Sequence, residues 1–130
     1  MKKLLVLLPF LCLFFISCQT IKDIPQDKTS AQIIQMGQNF VTSGDYKSAI
    51  VCYKEALVRF STNPQVIVEA KYELGNVYLK QKKYDLAYAE FSQLLEMYAD
   101  NPTAYPSAYK KLANIGLSKI PKNKLQELAQ

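Results

Sequence analysis

Two stretches of the sequence follow one pattern: residues 37–60 are GQNFVTSGDYKSAIVCYKEALVRF, and residues 75–98 are GNVYLKQKKYDLAYAEFSQLLEMY. A glycine, a tyrosine, an alanine, an aromatic residue and a leucine recur at the offset that separates Gly37 from Gly75 (75 − 37 = 38). A fixed period in the range of roughly 20 to 50 residues is typical of stacked repeats. Each unit of such a stack buries its apolar face only against its neighbours. The period therefore predicts a repetitive surface suited to holding another molecule.

Apolar residues at helical spacing predict helices throughout residues 29–130. Thr29 and Gln32 fit a capping box at the start of the first helix. Gly44 suits the left-handed conformation that ends a helix. No stretch of useful length alternates in the manner of a β-strand, so the sequence predicts an all-α fold.

The start of the third helix is indicated by Asn63-Pro64, a capping side chain followed by proline at the first helical position. Asn101-Pro102 repeats this signal (101 − 63 = 38) and predicts a fifth helix that starts near Thr103 or at Pro106. Residues 125–129 form a candidate sixth helix.

The pattern resembles the tetratricopeptide repeat (TPR), a helix–turn–helix unit of about 34 residues. The first glycine of each stretch occupies the place of the small residue in the first helix of the unit, helix A, and Ala113 takes that place in a third helix A. Gly44-Asp45 matches the turn of the family, whereas Lys82-Lys83 departs from it. The resemblance covers residues 31–118. It implies a TPR-like helical solenoid of about two and a half helix–turn–helix repeats.

Residues 1–17 have the organisation of a signal peptide, since the apolar run Leu4–Ile16 follows a positive start and is too short to span a bilayer. Ser17-Cys18 resembles the relaxed lipoboxes of spirochaete lipoproteins, which implies cleavage before Cys18 and acylation of that cysteine, with palmitate or a similar lipid. An ordinary secretory signal with an incidental cysteine is the alternative. The predicted organisation continues with a lipidated N-terminus and polar linker at residues 18–28, and a helical domain at residues 29–130.

Composition argues against several classes of function. Without Lys2 and Lys3 the net charge is 14 − 11 = +3, and no dense basic run favours nucleic acid. The chain has no histidine, and Cys52 is the only thiol outside the signal and the lipid site, in a position typical of a buried small hydrophobe. No glycine-rich phosphate loop is present. We expect no enzymatic activity, no cofactor, no metal and no small-molecule substrate.

The links at residues 59–64 and 97–102 are similar to the Arg-Tyr-Pro-x-x-Pro links of the BamD family, lipoproteins of the outer-membrane β-barrel assembly (BAM) machine. This resemblance implies a BamA-like barrel protein and unfolded outer-membrane protein segments as partners. It also implies a lipid-anchored location on the periplasmic side of the outer membrane rather than on the cell surface. Members of that family carry more repeats, and the repeats that contact BamA have no clear counterpart here. A stand-alone envelope adaptor, serving cell-wall or Tol–Pal-like processes, is the alternative function.

Helix A of each unit lines the concave face of a TPR stack, and the period places one amide side chain per unit at an equivalent position. We predict that this column and its neighbours bind an extended peptide or a terminal carboxylate, because amides both donate and accept hydrogen bonds. The predicted binding residues are Gln38, Tyr72, Asn76, Lys80, Lys110 and Asn114. The alternative is that these are solvated polar positions of ordinary helices.

A second candidate surface lies at the C-terminal side of the stack. Tyr105, Tyr109 and Leu117 form a possible docking edge, because aromatic residues are enriched in interface hot spots. In the alternative, residues 121–130 fold back over the stack as a cap.

Overall fold

The computed structural model describes residues 20–130, and both Cys18 and the predicted signal peptide lie outside this range. The described residues form six α-helices and contain no β-strand. In chain order the helices are α1 (Ser30–Ser43), α2 (Tyr46–Arg59), α3 (Pro64–Lys80), α4 (Tyr84–Asp100), α5 (Ala108–Ser118) and α6 (Lys122–Leu128). The predicted all-α fold is confirmed.

Local capping signals set the first helix boundaries as predicted. Thr29 Oγ1 accepts the Gln32 amide at 3.3 Å, and Gln32 Oε1 accepts the Thr29 amide at 3.0 Å, which completes the capping box. Gly44 follows α1 with φ 80°, the left-handed conformation that glycine adopts without a steric penalty. The Asn63 side chain accepts two backbone amides of the first turn of α3.

The second turn adopts a similar conformation with residues that are less suited to it. Lys82 has φ 59° and is the one non-glycine residue with positive φ in residues 20–130, at the place that Gly44 takes in the first unit. Lys83 is the N-cap of α4 without a side-chain capping bond, whereas Asp45 accepts the Ser48 amide at 3.1 Å. The turn therefore persists although its sequence departs from the repeat pattern.

The helices pack as a stack of antiparallel pairs. α1 pairs with α2, and α3 pairs with α4, each across a short turn. α2 packs on α3, and α4 packs on α5, so consecutive units are continuous. α3 also contacts α1 and α5, which places α1, α3 and α5 side by side as the helices A. This arrangement is the predicted TPR-like solenoid.

Aromatic rings of the B helices fill the space left by glycines of the A helices. A Cβ atom on Gly37 would lie 2.5 Å from Tyr53 Cε1, and one on Gly75 would lie 2.5 Å from Phe91 Cε1. A Cβ atom on Gly116 would meet the same Phe91 ring even more closely. Glycine at these positions is explained by close helix crossing.

The predicted burial of Cys52 is confirmed. Its side chain is fully buried within the core, beside Ala49, Tyr53 and Ala56 of the same helix. Burial raises the pKa of the Cys52 thiol to about 11, with a smaller contribution from the Asp45 charge. Cys52 therefore acts as a packing residue.

Of the two predicted starts of α5, the one near Thr103 is wrong, and the one at Pro106 lies close to the observed start (108 − 106 = 2). Residues 101–107 form an irregular loop, and α5 begins at Ala108. A helix that began at Pro102 would include Pro106 in its interior, where the ring clashes with the carbonyl four residues back and the backbone N–H is missing. The Tyr98 hydroxyl donates to the Pro106 carbonyl, which ties the loop to α4.

Residues 20–25, here called the N-terminal strap, lie against the first helix pair. Ile24 is only 6% exposed, and the Ile21 amide donates to Ser48 Oγ at 2.9 Å. The Arg59 guanidinium donates to the carbonyls of Ile24 and of the proline after it, at 2.5 and 2.7 Å. The polar composition of residues 18–28 predicted a linker without contacts to the helical domain. Over residues 20–25 that prediction is wrong, because long-range contacts hold the strap on α2.

The C-terminal residues fold back onto the stack. α6 makes its main contacts with α4, Leu125 packs against the core, and Ile120 is only 3% exposed. Of the two alternatives for residues 121–130, the structure therefore favours the cap. The third unit consists of α5 and this short closing helix, consistent with about two and a half repeats.

Candidate protein-binding face

The face formed by α1, α3 and α5 contains a polar cluster that joins two repeats. Gln38 Nε2 on α1 donates to Glu73 Oε1 on α3 at 3.2 Å. Both side chains are half-buried, and Asn76 lies one helical turn after Glu73. We call Gln38, Glu73 and Asn76 the amide–carboxylate cluster. It holds a carboxylate between amides that come from two different units.

The Glu73 carboxylate lies in a mixed electrostatic environment. Burial raises its pKa above the ordinary value of 4.5, and the nearby Glu69 charge acts in the same direction. The Gln38 hydrogen bond, the nearby Asn76 amide and the charge of Lys80 oppose this shift. The outcome is an ionisable group that is partly removed from water and held by directional bonds.

Aromatic rings flank this cluster on the side of α5. Tyr72 meets Tyr109 edge-on with ring centroids 5.8 Å apart, and it lies 6.1 Å from Phe91 in a tilted arrangement. Burial raises the pKa of Tyr109 to about 12, and the charges of Glu69 and Glu73 add to the shift. These rings therefore form a half-buried wall beside the carboxylates.

The Tyr53 hydroxyl lies beneath the same face. Tyr53 is fully buried, and its hydroxyl has no hydrogen-bond partner among the described residues. Burial raises the Tyr53 pKa, and the charges of Glu73 and Glu69 act in the same direction. A bound water or a small rotation of a glutamate would satisfy this group.

The six residues predicted as a groove are not all equivalent. Gln38 and Asn76 both adjoin Glu73, and Tyr72 packs inward on aromatic rings. Lys80 is exposed and lines a surface pocket together with Asn76. Lys110 and Asn114 are exposed on α5.

The amide column is therefore only partly formed. Asn114 Nδ2 donates to the Lys110 carbonyl of its own helix at 2.9 Å. Of the column predicted from the 38-residue period, the structure brings together the first two members. The third member, Asn114, bonds instead within its own helix, because α5 has no carboxylate at the position equivalent to Glu73.

The residues of the predicted docking edge pack in part against the chain itself, and their docking of a partner stays a prediction. Tyr105 packs edge-on against Tyr98 with centroids 5.6 Å apart, Tyr109 packs against Tyr72, and Leu117 contacts the core. All three side chains are partly buried by the chain itself. Intramolecular stacking therefore covers one side of these rings and leaves part of each side chain exposed.

Sequence reasoning missed Glu73 as a central residue. Glu69 and Glu73 were visible as a pair spaced by four residues, which is also the pattern of an ordinary solvated face. The repeat itself was the available signal, since it allows Glu73 to be compared with the equivalent position of the first unit. That position is Gln35 (73 − 38 = 35). Gln35 is exposed and bonds only to Asn39 of its own helix.

Two further structural findings concern residues 20–130 alone. No group of three or more His, Cys, Asp or Glu side chains in this range is placed to hold a metal ion. Within the same range, no helix has both the length and the apolar character needed to cross a membrane. Cys18, the predicted lipidation site, lies outside the described residues.

Comparison with known proteins agrees with the helical packing. Residues 68–101 match the family model of the tetratricopeptide repeat. The chain is 31% identical over 100 residues to an uncharacterized protein of Treponema pallidum (strain Nichols), an alignment that covers 76% of this chain and 40% of that protein. The chain thus spans about two-fifths of the length of this curated relative. No solved structure shows a significant match.

The family match falls on α3 and α4, and α1 and α2 repeat their packing. TPR units are protein-interaction modules whose stacked helices present a continuous surface. The chain is therefore an all-α, TPR-like solenoid of the kind that acts as a protein–protein interaction scaffold.

Proposed function

We propose that the protein is a lipid-anchored, BamD-like scaffold of the outer-membrane β-barrel assembly machinery, and that it holds extended segments of barrel precursors along α1, α3 and α5. The observation that carries the binding part is the amide–carboxylate cluster. It crosses two repeats and is fixed by the Gln38–Glu73 bond at 3.2 Å. A preformed polar array that spans units suits a ligand that runs along the stack.

The chemistry of this face favours a peptide backbone as the ligand. An extended segment presents alternating N–H and C=O groups, and the Gln38 and Asn76 amides offer both acceptors and donors. The Tyr72–Tyr109 wall supplies apolar contact area beside the polar cluster. An ordered polar array with an adjacent aromatic surface is the usual composition of a specific protein-binding site.

The assignment to barrel assembly has its support in the sequence. The order of positive start, apolar core, Ser17 and Cys18 resembles a lipoprotein signal. The links at residues 59–64 and 97–102 resemble those of the BamD family. Acylation of Cys18 would attach the solenoid to the outer membrane, with about 0.8 kcal/mol for each buried methylene.

Peptide binding to purified protein tests the proposed face. Fluorescein-labelled peptides that cover the strands of an abundant outer-membrane barrel protein would be titrated with the mature chain carrying Cys18→Ser, and anisotropy would be recorded. Asn76→Ala is expected to weaken binding about fivefold, since a typical hydrogen bond contributes about 1 kcal/mol. Asn39→Ala is the matched control, because Asn39 is an exposed amide on α1 that bonds within its own helix. Equal affinity of both variants would contradict binding at this face.

Partner capture in membranes tests the assembly role separately. A photo-crosslinking amino acid would replace Gln35, which is exposed on α1 at the position equivalent to Glu73, in the lipidated protein in cells. We expect a crosslink to a BamA-like barrel protein or to an unfolded barrel precursor, identified by mass spectrometry. A crosslink only to cell-wall or Tol–Pal-type proteins would instead support the stand-alone envelope adaptor.

A further inference from the structure

The turns that join each helix A to its helix B lie along one edge of the solenoid. Lys82 and Tyr84 of the α3–α4 turn line one surface pocket together with Lys119, at the end of α5. Gln81 lines another pocket with residues 44–47 of the α1–α2 turn. The three turns are therefore neighbours on the surface, and this edge is a continuous feature of the stack.

This edge concentrates the lysines of the domain. We call it the basic edge and define it by Lys22, Lys47, Lys80, Lys82, Lys83, Lys119 and Lys122. None of these lysines takes part in a salt bridge within residues 20–130, where the ion pairs involve Arg59, Lys71 and Lys124. The acids nearby are few: Asp45, whose carboxylate caps α2, together with Asp85 and Asp23.

The opposite edge differs in charge. It consists of the links from each helix B to the next helix A, at residues 60–65 and 101–107. These links contain no lysine or arginine. The helix ends that border them carry Arg59, Lys110 and Lys111, which are balanced by Glu55, Glu96 and Asp100. The positive charge is therefore asymmetric across the stack.

Helix stability does not account for the basic edge. Lys80 and Lys119, at helix C-termini, interact favourably with the helix dipole. Lys47, Lys83 and Lys122 lie at the N-terminal ends of α2, α4 and α6, where a positive charge is unfavourable.

Lys82 adds a second local cost. Its φ of 59° is a conformation that glycine adopts without strain, as Gly44 does at the equivalent place. Lysine at such positions lowers local stability and adds charge to one edge, which points to an anionic surface outside the chain.

The N-terminal strap begins at the same edge. Thr20 lines the pocket that contains residues 44–47 and Gln81, and it lies beside Phe40 in a second pocket. Cys18 precedes Thr20 by two residues in the sequence (20 − 18 = 2). A lipid on Cys18 would therefore enter a membrane next to the basic edge.

We propose that the basic edge binds the anionic headgroup surface of a membrane, so that the solenoid stands on its A–B turns. This inference deepens the proposed lipid anchoring, and it rests independently on the charge asymmetry. Opposite charge attracts a basic surface to anionic lipid within a Debye length, about 8–10 Å at physiological salt. The concave face remains open to a protein ligand.

Vesicle sedimentation without the lipid tests the basic edge. The mature chain with Cys18→Ser would be mixed with vesicles of phosphatidylcholine alone or with 30% phosphatidylglycerol, a fraction chosen as about that of an anionic bacterial membrane. We expect binding to the anionic vesicles only, and weaker binding at higher salt. The triple variant Lys47→Gln, Lys82→Gln, Lys83→Gln is expected to bind about 100-fold more weakly, from about fivefold for each lysine.

The matched control removes the same number of charges elsewhere. Lys54→Gln, Lys110→Gln, Lys111→Gln changes three exposed lysines outside the basic edge and is expected to retain most of the binding. Circular dichroism would confirm that both variants are helical. An equal loss in both variants would show that net charge alone decides binding and would overturn the proposal. Wild-type protein that ignores anionic vesicles but binds polyglutamate would also overturn it, in favour of an acidic protein partner.

Orientation on the membrane is tested with the lipidated protein. Fluorophores at Ser43→Cys, at the end of α1 beside the α1–α2 turn, and at Ser61→Cys, in the opposite link, would be compared for quenching by nitroxide lipids. Stronger quenching at position 43 is expected, and equal or reversed quenching would contradict the proposed orientation. Absence of lipid on Cys18 would leave the sedimentation result unaffected, so the two ideas fail separately.

Discussion

Replacing Gly75 by alanine is expected to destabilise the protein although alanine is the better helix former. The Phe91 ring lies between two glycines of neighbouring A helices, Gly75 and Gly116. A Cβ atom on Gly75 would lie 2.5 Å from Cε1 and 2.6 Å from Cζ of this ring. The ring cannot retreat freely, because Gly116 contacts the same end of the ring from the other side.

The size of the effect follows from two opposing contributions. Carbon atoms prefer a separation of about 3.5–4.0 Å, so the ring has to move by about 1 Å. Phe91 is fully buried, and overpacking of a core typically costs about 1–3 kcal/mol. The higher helix propensity of alanine returns at most about 1 kcal/mol. The expected net loss in the free energy of unfolding is about 1–2 kcal/mol.

Urea unfolding followed by circular dichroism measures this loss. With a slope of about 1–3 kcal/mol per molar urea, the midpoint of Gly75→Ala is expected to fall by roughly 0.5–1 M. Combining Gly75→Ala with Phe91→Leu should cost less than the sum of the single losses, because the smaller side chain makes room for the methyl group.

Gly44→Ala serves as the control for the double variant. Nothing lies within 4 Å of a Cβ at Gly44, and its φ of 80° alone strains an alanine. Its loss should therefore add to that of Phe91→Leu. A Gly75→Ala protein as stable as the wild type would refute the tight packing of Phe91.

Three further outcomes follow from individual side chains. Arg59→Met removes the hydrogen bonds to the N-terminal strap and is expected to speed amide exchange of Ile21 at least tenfold, measured by hydrogen–deuterium exchange, while the core amides stay protected. Glu73→Gln is expected to raise stability at pH 7. Burial raises the folded-state pKa of Glu73, so the wild type loses stability as pH rises from about 4.5 through that pKa. The variant has no carboxyl group at this position and does not lose this stability. Urea midpoints measured at pH 4 and pH 7 test the difference, and an equal loss in both proteins would contradict the reasoning. In the Cys18→Ser mature chain, Cys52 of the folded protein is expected to react with Ellman's reagent at pH 8 at least about 100-fold more slowly than Cys52 of the urea-unfolded protein, because its pKa is near 11. Rapid labelling of the folded protein would contradict the burial of this thiol.

Helix existence and most boundaries were predictable because the signals are local. The Thr29 capping box and the Asn63 cap act within four residues and were confirmed at their predicted positions. The α5 boundary was left between two starts, and the one that the Asn101-Pro102 signal favours is overruled by Pro106 four residues later. A cap signal predicts a helix only when the following turn can be helical.

Long-range contacts were beyond sequence reasoning. The strap has no periodicity, and its attachment depends on Ser48 and Arg59, which follow it by 27 to 35 residues. The Gln38–Glu73 bond likewise joins residues 35 apart and depends on how α1 and α3 are spaced. Periodicity identifies which residues share a face, but it does not identify which of them meet.

The turns of the two repeats can be compared directly, because they adopt similar conformations with different residues. Their turns share a left-handed residue followed by an N-cap, yet Gly44-Asp45 suits that conformation and Lys82-Lys83 does not. Folding alone would favour glycine and aspartate in both, since glycine accepts positive φ and aspartate caps the helix and complements its dipole. The substitution therefore has to be explained by something outside the fold. An anionic surface that attracts cations to this edge explains both lysines at once.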